Sequence, residues 1–300
     1  MQTDVGITRP HAIFRPCSTT VQTVQISQQE YDAFRKFLEQ ACGIVLGENK
    51  HYLVTSRLSR LVRDFQITTF SELMQRLQAQ PGSKLRENII DAMTTNETQW
   101  FRDVYPFELL TRTILPELAQ QRPKQLRIWS AASSSGQEAY SISMTIQEFL
   151  MVRPGALPPL IQIIGTDISP SMLREANAAS YDKMSLVRGL TPERIQRWFI
   201  PKGERWEVKP DIRNRVSFRE LNLLESYASM GKFEIVFCRN VLIYFSSELK
   251  RNILERIAQT LNPGGYLFLG GSESPTSYTD AFEMIRTPHG VVYRVKPGVR

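Results

Sequence analysis

Residues 126–150, LRIWSAASSSGQEAYSISMTIQEFL, decide the fold. LRIW (126–129) is short and apolar enough for a buried strand, SAASSSG is a turn of small residues, and EAYSISMTIQEFL (138–150) has the length and apolar content of a helix. In nucleotide-binding α/β proteins that order presents a ligand to a helix N-terminus. A dinucleotide turn carries three glycines, whereas this one carries Gly136 alone. The turn therefore suits a ligand that does not press a pyrophosphate against the backbone.

Outward from it the chain alternates. A helix over 106–121 precedes the first strand. After the second helix come IQIIGTD (161–167), a helix from Ser169, RVSFREL (215–221), FEIVFC (233–238), the helix SELKRNILERIAQTL (247–261), YLFLGG (266–271) and VVYRV (291–295). Strands spaced by helices predict an α/β fold with a doubly wound, mainly parallel sheet covered on both faces. The stretch 181–214, with Trp198, Trp206 and mixed charges, breaks the alternation and reads as a small inserted subdomain. Upstream, Ser27 and Glu30 are spaced as a capping box and Gly43 closes the helix they open. A second amphipathic stretch, YLVTSRLSRLVRDF, puts Arg57, Arg60 and Arg63 on its wet side. The expected division is a flexible tail (1–26), a helical domain (27–93), and a larger domain (94–300) holding the insertion.

Composition narrows the function classes. With 300 residues and 42% hydrophobic content the chain buries a real core. Cys17, Cys42 and Cys238 are too few and scattered for a disulfide framework or a metal site. The first 26 residues lack the apolar run of a signal peptide, and no stretch reaches about 18 uninterrupted apolar residues. A cytoplasmic monomer without membrane insertion is expected. The net charge of +7 favours an acidic partner without saying which kind.

Ligands in such sheets sit beyond the carboxyl ends of the strands. There the chain places Gly136 and Glu138, then Asp167, then Asn222 with Leu223, then Asn240 with Val241. An acid closing the second strand suits a ribose diol, though it equally suits capping the next helix. A nucleoside ligand without pyrophosphate that fits the one-glycine turn is S-adenosylmethionine.

The segment AMTTNETQWFRDVYPF (92–107) mixes Asn96, Thr98 and Arg102 with aromatics, and alone it reads equally as an interdomain hinge. Together with WSAASSSGQEAYS, FCRNVLIYF (237–245) and LNPGGYLFLGGSE (261–273) it resembles the motif set of the CheR family, the chemotaxis receptor glutamate methyltransferases. The resemblance implies methyl transfer from S-adenosylmethionine to glutamate carboxylates on chemoreceptor cytoplasmic helices, with S-adenosylhomocysteine as product. It also implies cofactor contacts at Asn96, Thr98, Arg102, Glu138, Asp167, Asn222, Leu223, Asn240 and Val241, and receptor docking on the helix bearing Arg57, Arg60 and Arg63. Within that set Asp167 is expected on the ribose, Glu138 and the Asn240 carbonyl on the ammonium, and Asn222 with the Leu223 backbone on the adenine edge. Arg102 and Tyr244 are the candidates to position the incoming carboxylate. Tyr244 reads as well as a core residue.

The loop FIPKGERWEV (199–208) is short beside relatives that hold a receptor's C-terminal pentapeptide, so recognition without that tether is expected. Two other readings stand beside this one: a methyltransferase acting on nucleic acid, which the basic island at 188–220 would suit, and a non-catalytic S-adenosylmethionine-sensing scaffold. Against the first, the chain lacks an NPPY-type signature.

Overall fold

The computed structural model describes residues 26–80 and 82–298, so nearly all of the expected 1–26 tail lies outside the described residues. Four helices come first: α1 (Gln28–Cys42), α2 (His51–Asp64), α3 (Phe70–Ala79) and α4 (Lys84–Met93). Ser27 and Glu30 cap α1 reciprocally, Thr69 and Ser83 cap α3 and α4, and Gly43 ends α1 at φ 79°. Each helix turns an apolar stripe inward, and Phe34, Leu38, Leu58, Phe70, Leu73 and Ile89 form their shared core.

The segment expected as one helix over 106–121 is α5 (Tyr105–Leu109), a π-helical turn (Leu110–Ile114) and α6 (Leu115–Gln121). Pro116 accounts for the difference: it has no amide to donate to the fourth carbonyl behind it, and the widened turn before it absorbs the break. The sheet region then runs β1 (Leu126–Ala131), α7 (Gln137–Val152), β2 (Ile161–Asp167) and α8 (Pro170–Ala178). The insertion follows, as β3 (Ser180–Asp182), α9 (Lys183–Val187), α10 (Pro192–Trp198), β4 (Phe199–Lys202), β5 (Arg205–Val208) and α11 (Pro210–Arg213). The chain returns through β6 (Val216–Glu220), β7 (Phe233–Cys238), α12 (Ser247–Thr260), β8 (Leu261–Leu269), β9 (Phe282–Thr287) and β10 (Gly290–Val295).

The strands form a seven-stranded sheet ordered β6-β2-β1-β7-β8-β10-β9 and a separate three-stranded sheet ordered β3-β5-β4. In the large sheet the first five are parallel, while β10 runs antiparallel to β8 and to β9. Sequence reading found neither β9 nor the strands of the insertion, because FEMIRT and the hairpin strands FIPK and RWEV are short and each buries a single residue, at one end. Side chains of the central strands alternate between two cores: Ile128, Ile235, Phe237 and Phe268 on one face, Trp129, Val236, Cys238 and Leu269 on the other. Full burial of each such side chain contributes roughly 1.5–3 kcal/mol. The strand order reverses between the parallel neighbours β1 and β7, with β2 and β6 on one side and β8 on the other, and the crevice beyond their carboxyl ends is where such a sheet binds its ligand.

Candidate functional site

The crevice is real: a cleft of about 930 Å³, its open mouth included, lies beyond β1, β2 and β7. Its walls come from the turn after β1 (Ala132, Ser133, Ser134, Glu138), Asp167 and Ile168, residues 221–223, Arg239 to Val241, and Tyr244 with Phe245. The segment Thr94–Gln99 with Arg102 closes one side, and Cys42 and Ile44 from the end of α1 close another.

Backbone conformation shapes the turn after β1, where Ala132, Ser134 and Gly136 adopt φ of 54°, 51° and 93°. The Ser134 amide donates to Asp167 Oδ2 at 2.8 Å, and the Ser169 amide donates to Oδ1 at 2.9 Å. Asp167 thus fastens the turn and holds Ser169, the residue that caps α8, while lining the cleft. Burial pushes its carboxyl above the ordinary carboxylate range, against the pull of the Ser169, Ser134 and Ile168 amides, and nearby Asp91 adds to the rise. Ser134 Oγ donates to the Asn96 carbonyl at 2.9 Å, which holds the segment before the sheet against the turn.

Glu138 stands at the start of α7, where Oε1 accepts from Ser130 Oγ at 2.8 Å and Oε2 from Arg239 Nη1 at 2.9 Å. The Arg239 side chain is 1% exposed and also meets Asp103 at 2.7 Å and the Arg102 carbonyl at 2.9 Å. Glu138, half of whose acceptor capacity is taken by Ser130 and Arg239, keeps lone pairs for a ligand ammonium at that end of the cleft. Arg102 differs: its guanidinium lines the cleft and donates to the Glu97 carbonyl at 3.1 Å, with no carboxylate in ion-pair reach among the described residues. Aromatics fix its neighbours. Trp100 packs edge-on against Tyr181 and Phe199, and Phe101 against Phe107. Phe101, Asp103 and Val104 all take positive φ, which costs free energy in residues other than glycine.

Of the residues singled out from the sequence, the cleft brings together Asn96, Thr98, Arg102, Glu138, Asp167, Asn222, Leu223, Asn240, Val241 and Tyr244. Gly136 is not on its wall. A Cβ there would come within 2.9 Å of Phe218 and 3.0 Å of Ala176, so Gly136 serves the turn and the close packing of α7 rather than a ligand. The Asn222 side chain is partly committed to the protein, with Nδ2 donating to the Ala41 carbonyl at 2.8 Å and Oδ1 accepting from the Leu224 amide at 3.0 Å. It is thereby tied to α1, with one N–H and one lone pair left over for a ligand in the cleft. Arg57 is not a free docking charge either, since it donates to the Met93 and Thr94 carbonyls and to Thr95 Oγ1. Arg60 pairs with Asp64 at 3.5 Å, and Arg63 is exposed.

Sequence reading assigned no role to Arg239, Ser133, Ser134 or Cys42. The signal for Arg239 was a lone cation ending an apolar strand, but its carboxylate partners are 101 and 136 residues away. Cys42 is buried, and burial pushes its thiol up to about 11, so it lines the cleft as an apolar wall.

The donor set fits S-adenosylmethionine. Six buried side-chain polar atoms lack a hydrogen-bond partner among the described residues, and three of them, Ser133 Oγ, Asn240 Oδ1 and Arg239 Nε, belong to residues of the cleft wall. Such atoms are costly unless a polar ligand meets them. Among the described residues no cluster of His, Cys, Asp and Glu is placed to hold a metal ion, and no helix is long and apolar enough to cross a membrane.

Comparison with known proteins agrees with this cleft. Residues 96–291 match the family model "CheR methyltransferase, SAM binding domain", and residues 29–94 match "CheR methyltransferase, all-alpha domain". The chain is 58% identical over 269 residues to chemotaxis protein methyltransferase 1 of Pseudomonas aeruginosa, covering 89% of this chain and 98% of that one. It is 56% identical over 269 residues to chemotaxis protein methyltransferase Cher2 of Pseudomonas putida, with the same coverage of 89% and 98%. The chemotaxis protein methyltransferase of Vibrio parahaemolyticus is 53% identical over 274 residues, 91% of this chain and 99% of that one.

Proposed function

The chain belongs to the CheR methyltransferase family, with S-adenosylmethionine as cofactor and S-adenosylhomocysteine as product, and on that premise we propose that it methylates glutamate side chains of chemoreceptor cytoplasmic helices, forming γ-glutamyl methyl esters. The observation that carries this reading is Arg102: a guanidinium on the cleft wall, opposite in charge to the proposed substrate and paired with no carboxylate among the described residues. Tyr244 joins it on the wall, half-buried, and its backbone carbonyl is anchored by the Val45 amide at 2.9 Å.

S-adenosylmethionine supplies an electrophilic methyl on sulfonium, open to in-line attack by a carboxylate oxygen. Glutamate has a reference pKa of about 4.3 and is ionised at neutral pH, so no side chain of the cleft has to act as general base. The protein's work is orientation, which for well-aligned reactants contributes roughly 7–11 kcal/mol. Arg102 and Tyr244 align the receptor carboxylate. Asp167, already held by two amides, has lone pairs left for a ribose diol. Glu138 and Asn240 Oδ1 accept from the ammonium, and the Leu223 amide reads the adenine edge together with the remaining N–H or lone pair of the Asn222 side chain.

Receptor docking falls to the exposed face of α2, with Arg60 and Arg63 as its charges, while Arg57 carries the position of α2 to the Thr94–Gln99 wall. The enzyme works in the cytoplasm, as a monomer, and without a receptor tether on the β4–β5 hairpin. The test is to incubate the protein with methyl-labelled S-adenosylmethionine and either receptor-bearing membranes or RNA, then treat with base. Volatile labelled methanol from the receptor sample alone is expected. Base-stable label, or label in RNA, would contradict the proposal.

A further inference from the structure

Glu273 sits on the loop after β8, 9% exposed, inside a motif in which it had no assigned role. Its Oε2 accepts from the amides of Asn240 at 2.7 Å and Gly270 at 2.8 Å, and its Oε1 accepts from the amide of Ile243 at 3.3 Å. One carboxylate therefore gathers three amides from two segments, the turn after β7 and the end of β8. Charge-assisted bonds of this kind are about twice as strong as neutral ones.

The turn it gathers is unusual. Asn240 holds φ 57°, a left-handed conformation that costs free energy in any L-residue and is least unfavourable in Asn and Asp. Its Oδ1 is buried without a partner among the described residues, and Asn240 is on the cleft wall whereas Glu273 is not. The clamp is also tight: a Cβ at Gly270 would lie 2.7 Å from both Asn240 Nδ2 and Glu273 Oε2.

We propose that Glu273 is a positioning residue for the amino-acid end of the cofactor. Its carboxylate fixes the Asn240 turn in the left-handed conformation that leaves Oδ1 for the ligand ammonium, and Glu273 itself touches no ligand. This rests on the cofactor contacts given under the proposed function.

Two ligands separate positioning from general support: S-adenosylhomocysteine, which carries the amino-acid end, and methylthioadenosine, which lacks it. Both are titrated by calorimetry into wild type, Glu273→Ala, Glu273→Gln and Gly270→Ala, with thermal melting in parallel. Glu273→Ala is expected to weaken S-adenosylhomocysteine tenfold or more and methylthioadenosine less than threefold. Glu273→Gln falls between, because its carbonyl oxygen still accepts the two close amides while its NH2 confronts the Ile243 amide. Gly270→Ala, which leaves Glu273 in place but crowds it, weakens S-adenosylhomocysteine in the same selective way and carries the test with Glu273→Gln if the alanine variant does not fold. S-adenosylhomocysteine affinity within threefold of wild type in these variants, or equal losses for both ligands, would overturn the proposal. Wild-type protein that takes up neither ligand would overturn the cofactor reading, and this proposal with it.

Discussion

In the helical region Ser27 and Glu30 cap each other across three residues, and Thr69 and Ser83 do the same for the amides of Glu72 and Arg86. In the cleft, Glu138 meets Arg239 across 101 residues, Asp167 holds Ser134 across 33, and Asn222 reaches Ala41 across 181. Polar groups of the first kind set where an element starts and stops. Those of the second kind bring distant segments to one ligand. The difference teaches how each region should fail: local caps contribute small, separable increments, whereas a buried long-range partner leaves its counterpart uncompensated when removed.

The largest effect expected from that contrast is at Arg239. Arg239→Met keeps the unbranched stem of the side chain but leaves Glu138 and Asp103 without their cation, and breaking a buried pair such as Arg239–Glu138 costs about 3–5 kcal/mol. Thermal or urea unfolding measures it, and a loss below about 1 kcal/mol would remove the contrast between the two regions. Next comes Asp167→Ala, which should weaken S-adenosylhomocysteine by the worth of charge-assisted hydrogen bonds, about 1.5–3 kcal/mol. An unchanged dissociation constant would leave Asp167 only the fastening of the turn and of Ser169, the cap of α8.

The smallest effect belongs to the helical region. Glu30 is held below the usual carboxylate range first by the Ser71 hydroxyl, then by the Ser27 amide and hydroxyl. Because the folded value lies below the unfolded one, its contribution is present above the unfolded pKa and is lost as pH falls through the folded one. Glu30→Gln should therefore cost only about 0.5 kcal/mol at neutral pH, with a wild-type advantage that disappears on acidification. An advantage that grows as pH falls would reverse the assignment.

The same contrast explains what could be read from the chain. Caps and apolar stripes are written within a few residues of one another, so α1, α2 and the run of β1, α7 and β2 were legible with nearly their observed limits. The cleft was legible as a list of strand ends, which placed Glu138, Asp167 and Asn240. It was not legible as a network. Nothing near Asn222 says that Ala41 will take its side chain, and nothing near Arg57 says that it will bind the Met93 carbonyl. Gly136 looked like a ligand contact because phosphate-binding turns use glycine that way, whereas here Phe218 and Ala176 demand it. β9 and the small sheet were missed because their exposed strands lack the apolar alternation that marks a buried one.

Two arginines of the cleft carry the central claim. Arg239 is buried between carboxylates and belongs to the architecture, while Arg102 stands on the wall with a carbonyl as its partner and is assigned to the incoming glutamate. The most direct test is to titrate S-adenosylhomocysteine into Arg102→Ala and to follow methyl transfer to a chemoreceptor by the same protein. The account predicts that kcat and kcat/KM fall by a similar factor while S-adenosylhomocysteine affinity stays within about threefold of wild type. A loss of affinity of tenfold or more, about 1.4 kcal/mol, would contradict it and place the Arg102 guanidinium on the cofactor instead.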